Sequence, residues 1–92
     1  MLEAIFTNRF QKDIKKAEKR GLKLKKLNKV IEMLVDGEKL PKRYRDHALT
    51  GSRDYHGVRE CHIEPDWLLI YCIENDTLTL VLMRTGTHSD LF

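Results

Sequence analysis

The run Trp67–Ile73, WLLIYCI, is apolar on both parities. Side chains of a strand alternate between two faces, so this one must be a central strand, covered by helices on one face and partly covered on the other. Two further strands flank it, over about 57–63 and 77–84, and Asn75-Asp76 marks a hairpin between the last two. That part of the sheet is antiparallel.

The covering layer comes from the first half. Residues 1–6 are short and loosely alternating, as in a first strand, and Thr7 or Asn8 stands where a helix cap is needed. Phe10, Ile14 and Ala17 recur at helical spacing until Gly21, giving a helix over about 8–20. A second stripe of Leu24, Leu27, Ile31 and Leu34, widened by Val30 and Val35, ends at Asp36-Gly37. The expected fold is α+β, in the order β-α-α-β-β-β, with an N-terminal strand and helical hairpin packed on a small antiparallel sheet. Residues 38–56 carry Pro41, Gly51 and many charges, and read as a long loop. The tail TGTHSDLF allows at most one helical turn.

At 92 residues the chain is expected to form one domain, 1–92, with nearly all its apolar residues in one core. No apolar run approaches the roughly 20 residues of a membrane span, and the N-terminus lacks the order of a signal peptide. A soluble cytoplasmic protein with no membrane partner is the expectation. Cys61 and Cys72 form neither a disulfide framework nor a zinc-knuckle spacing. They read as buried thiols.

Charge is divided unevenly along the chain. Residues 1–45 hold 14 Lys and Arg against 6 Asp and Glu, whereas residues 46–92 hold 3 against 8. The basic half suits a polyanion or an acidic protein partner. Solvated helix faces are the plain alternative.

Three of the four histidines, His47, His62 and His88, lie in polar settings: RDHAL, RECHIEPDW and RTGTHSDLF. If sheet pairing gathers these segments, His47, His62, Asp66 and His88 converge with Arg84. Imidazole is the side chain best able to exchange protons near neutrality. Each residue alone also has a plain reading: a solvated histidine, Asp66 as a turn residue after Pro65, Trp67 as core, Arg84 as a surface charge, Phe92 as a frayed end. The histidines and Asp66 lack the close spacing of zinc ligands, and the scattered glycines form no phosphate loop.

RDHALTG, RECHIEPDWLLIY and RTGTHSDLF, in that order behind a lysine-rich helical hairpin, resemble the YafQ-type branch of the RelE/ParE superfamily of bacterial toxins. The resemblance implies a toxin that enters the ribosomal A site and cleaves mRNA without a metal or other cofactor. His47, His62, His88, Asp66 and Phe92 match the family's active-site positions, and Trp67 and Arg84 fall on positions also implicated. On this reading His88 is the general acid, Asp66 with His62 or His47 forms the base side, and Arg84 holds the phosphate. Trp67 and Phe92 are then candidates for stacking on RNA. Lys12, Lys15, Lys16, Lys19, Lys23, Lys25, Lys26 and Lys29 would grip ribosomal RNA. The same surface would receive a cognate antitoxin, and DNA would be met only through the toxin–antitoxin complex. Alternatives are a non-catalytic module that blocks gyrase or serves as half of a DNA-binding repressor, and a metal-dependent nuclease.

Overall fold

Thr7 makes the first corner. In the computed structural model, which describes residues 1–49 and 57–92, its hydroxyl accepts the Phe10 N–H and also donates to the carbonyls of Leu82 and Met83. One side chain thus starts the first helix, α1 (Asn8–Lys19), and fixes it to the last strand. Before it lies β1 (Glu3–Phe6); after it come α2 (Leu24–Val35), β2 (His47–Ala48), β3 (Val58–Glu64), β4 (Trp67–Glu74), β5 (Thr79–Gly86) and a terminal turn, α3 (His88–Leu91).

The five strands form one sheet in the order β1-β5-β4-β3-β2. The antiparallel hairpins β3–β4–β5 follow the expected plan, but β1 pairs parallel with β5, so the sheet is mixed. The intervening helical hairpin supplies the long connection that parallel pairing requires. Pro65-Asp66 is the two-residue turn between Glu64 and Trp67, and neither residue has positive φ. Non-primed turns splay the strands they join. The register shift between His62 and Glu64 accommodates this one.

Phe10, Leu27, Val30, Ile31 and Leu34 from the helices pack on Cys61, Ile63, Trp67, Leu69, Tyr71, Leu80 and Leu82 from the sheet. Leu40 and Tyr44, placed in a loop by the sequence, belong to this core as well. Tyr44 ends a 3₁₀ turn, Lys42–Tyr44, and β2 follows it closely. These elements leave too weak a periodicity to be read from sequence. Residues 50–56 of the expected loop, with Gly51 and His56, lie outside the described residues. The Asn75-Asp76 hairpin turn is a 3₁₀ segment, Asn75–Thr77, closed by Leu78 in the left-handed region, which delays the last strand to Thr79.

Candidate active site

Strand alternation turns Cys61 and Ile63 toward the helices, and therefore Glu60 and His62 toward the opposite face. Three imidazoles meet there. His47 and His62 have ring centroids 6.3 Å apart, and His62 and His88 5.9 Å apart. They arrive from β2, β3 and α3; the sequence expectation had His47 in a loop, and its condition, that pairing gather the three segments, is met.

All three rings are held through the same nitrogen. The Nδ1–H of His47 donates to the Arg45 carbonyl at 2.7 Å, and that of His62 to the Pro65 carbonyl at 3.2 Å. Nδ1 of His88 pairs with Asp66 Oδ1 at 2.8 Å. A carbonyl only accepts, so the first two rings carry hydrogen on Nδ1. In those two rings Nε2 is the nitrogen left to accept a proton.

Each anchor has a local cause. Arg45 is in the left-handed region at φ 48°, where non-glycine residues are uncommon, and this conformation accompanies the carbonyl contact to His47. Asp46 fixes the same segment: it accepts from Arg59 and, at 2.6 Å, from the buried Tyr71 hydroxyl. Burial and the Asp46 carboxylate push the Tyr71 hydroxyl above its ordinary range. The hydrogen bond to Asp46 likewise raises Arg59.

Asp66 also accepts the His88 backbone N–H, at 3.2 Å. Donation from the His88 ring, then from its backbone, holds this exposed carboxylate below its usual range. Asp66 therefore pairs with His88 and not with His62 or His47. Their carboxylate is Glu60, which sequence reasoning did not single out. It is buried, with Oε1 3.8 Å from His47 Nε2 and 3.6 Å from His62 Nε2. Among Arg59, His62 and Glu64 of the same strand, its charge gave no signal that set it apart.

The tail is clamped by a second unpredicted carboxylate. Asp90 and Thr87 form a capping box, and Arg20 of α1 grips both Asp90 oxygens at 2.6 and 3.0 Å, with Lys16 at 3.2 Å. The Arg20 guanidinium and the Thr87 N–H hold Asp90 well below the carboxylate range. Gly86 at φ +155° admits the arrangement, since a Cβ there would come within 3.1 Å of Asp90. A depressed carboxylate stabilises the fold above its unfolded pKa of about 3.9 and loses that contribution as pH falls through the folded value. The stability difference between wild type and Asp90→Asn, read by denaturant unfolding, should be full at pH 6 and shrink below about pH 4.

Other expected residues fare differently. Trp67 is not available to RNA: it is 2% exposed, and its indole N–H donates to Thr85 Oγ1 at 2.9 Å. Arg84 is mostly buried in a two-pronged pair with Asp13 at 2.7 and 3.3 Å, where the sequence suggested a phosphate holder. β1 pairs only as far as Leu82, so this pair and the Thr85 N–H to Asp13 bond secure the uncovered end of β5. Phe92 is 68% exposed, its N–H donating to the His88 carbonyl. The eight lysines are exposed but do not act as one group: Lys16 clamps Asp90, and Lys26 pairs with Glu64 at 3.5 Å. Cys61 is fully buried, its thiol pushed up to about 12 by burial, and Cys72 is half-buried. Neither is a nucleophile. Among the described residues, no group of three His, Cys, Asp or Glu side chains is disposed to hold a metal ion.

Residues 2–92 match the family model described as bacterial toxin of type II toxin–antitoxin system, YafQ. The chain belongs to the YafQ family. It is 40% identical over 88 residues to the mRNA interferase toxin YafQ of Escherichia coli strain K12, covering 95% of this chain and 91% of that protein. A metal-bound toxin from Helicobacter pylori superposes with a TM-score of 0.93 at 42% identity over the whole of both chains. The toxin in the E. coli DinJ–YafQ complex does so with a TM-score of 0.90 at 38% identity, over 100% of this chain and 99% of that one. This YafQ family member thus keeps its fold across substantial sequence divergence.

Proposed function

We propose that this protein is the toxin of a type II toxin–antitoxin system, an mRNA interferase that cleaves translated mRNA at the ribosomal A site. A DinJ-like antitoxin neutralises it, and it acts in the cytoplasm, met by DNA only through the toxin–antitoxin complex. No helix among the described residues is long and apolar enough to cross a membrane. The observation that carries the reading is the trio of imidazoles, each held through Nδ1, with neighbouring ring centroids 6.3 and 5.9 Å apart.

The chemistry fits that trio. A base takes the proton of the RNA 2′-OH, whose oxygen attacks the adjacent phosphorus. The P–O5′ bond then breaks, and an acid returns a proton to the 5′-oxygen, leaving a 2′,3′-cyclic phosphate and a 5′-hydroxyl. General acid–base catalysis gives about 10²–10⁴-fold, so the groups act together with charge stabilisation. His88, oriented by Asp66, is assigned as the acid. His62 or His47, beside Glu60, takes the proton of the 2′-OH. Protonated imidazoles meet the phosphorane charge, and Phe92 stacks on a base. Arg84 acts through Asp13, holding the end of β5, after which the turn bearing His88 begins.

Expressing the protein in a growing bacterium and mapping mRNA ends tests the reading. New ends should appear inside translated frames only, and disappear on co-expression of the antitoxin. Growth arrest with no new ends, or with altered DNA supercoiling instead, would favour the gyrase-blocking alternative.

A further inference from the structure

Beside His62 a groove of about 440 Å³ opens between α2 and the end of β3. Its volume falls in the roughly 300–1,000 Å³ range of ligand sites. Lys26, Lys29, Arg43 and Arg45 line it, together with Pro65 and His62 itself. Among the described residues the one carboxylate on its wall, Glu64, is paired with Lys26, which leaves three of the lining cations in surplus.

One of those cations is held in place. The Arg43 guanidinium lies 4.9 Å from the centroid of the buried Tyr44 ring and donates to its hydroxyl at 3.0 Å. Stacking fixes the plane of a guanidinium and leaves its fork to meet an oxyanion. Arg45 belongs to both places: its carbonyl anchors His47, and it is one of the residues that line the groove. The groove therefore adjoins the catalytic cluster, with His62 and its anchor Pro65 on the wall.

We propose that Lys29, Arg43 and Arg45 bind the phosphate next to the scissile one on the substrate RNA, making the groove the positioning subsite of the reaction. The proposal rests on the endoribonuclease reading above. An acidic antitoxin segment would also suit the charge, but His62 and Pro65 are shared with the active site, which favours the substrate strand.

The test replaces single phosphates of a ribosome-bound mRNA by uncharged methylphosphonates and measures kcat/KM for wild type and for Lys29→Ala/Arg43→Gln. Wild type should lose about tenfold at one flanking position, the size expected for a lost charge-assisted hydrogen bond. The variant should lose about as much on ordinary mRNA and nothing more at that position. Lys12→Ala/Lys15→Ala on α1 should keep the methylphosphonate penalty in full. Penalties that multiply at every position, or a groove variant that cuts normally but escapes the antitoxin, overturn the proposal. A wild-type protein that cuts no translated mRNA removes the endoribonuclease reading itself.

Discussion

His88→Ala is expected to slow cleavage of translated mRNA by about 10²–10⁴-fold, the usual worth of a general acid or base, while the unfolding midpoint stays where it was. The imidazole is half-exposed and its partner Asp66 more so, so their pairing orients the ring more than it holds the fold. The C-terminal turn survives the change because it is secured by Thr87, Asp90 and Arg20 instead. A second measurement decides the role. An mRNA with sulfur in place of the bridging 5′-oxygen at the cleavage site has a leaving group that needs no proton. If His88 is the acid, His88→Ala should cut this substrate nearly as fast as wild type does. A variant equally slow on both substrates makes His88 the base, and one that cuts ordinary mRNA at the wild-type rate removes it from the chemistry.

The elements that set this site were legible where periodicity or turn chemistry spoke. WLLIYCI, apolar on both faces, gave the central strand, and Pro65-Asp66 gave the turn that sets His62 against the tail. What stayed hidden depends on long-range pairing. Asp90 is one acid in a short tail until Arg20, 70 residues earlier, closes on it. The same holds for Asp13 and Arg84, 71 residues apart, and for Asp46 and Tyr71, 25 apart. Such pairs leave no pattern within a window of sequence. β2 was missed for a related reason: two residues have no period, and only Glu60 and Arg59 across the sheet give them a register. Parallel pairing of β1 was likewise a property of the partner strand, not of residues 1–6. His62 and His88 could be gathered because their segments were tied to recognisable strand ends, whereas His47 lay in the expected loop and the partner of each ring could not be named.

Trp67 and Phe92 were both candidates for stacking on RNA or for fixing the pocket, with core as the alternative for Trp67, and burial separates them into opposite predictions. Trp67→Ala should cost about 3–5 kcal/mol, the range for deleting a large aromatic core side chain. Against the roughly 5–15 kcal/mol of a typical native protein, that is a large share of the total. Trp67→Phe refills most of the space and forfeits the indole N–H bond to Thr85 Oγ1, which keeps its own bond to the Leu68 carbonyl at 2.7 Å. This milder variant should be less stable than wild type yet cut mRNA at the wild-type rate per folded molecule. Phe92→Ala should do the reverse. Its exposed ring contributes little to the fold, and a base–aromatic stack is worth about 1–3 kcal/mol per base, so cleavage should fall with no change in unfolding. Denaturant unfolding and single-turnover cleavage on the same preparations read both axes. A Trp67→Phe protein of undiminished stability and impaired cleavage would return the indole to the RNA-binding surface, because a residue buried at 2% exposure cannot be altered at no cost to packing.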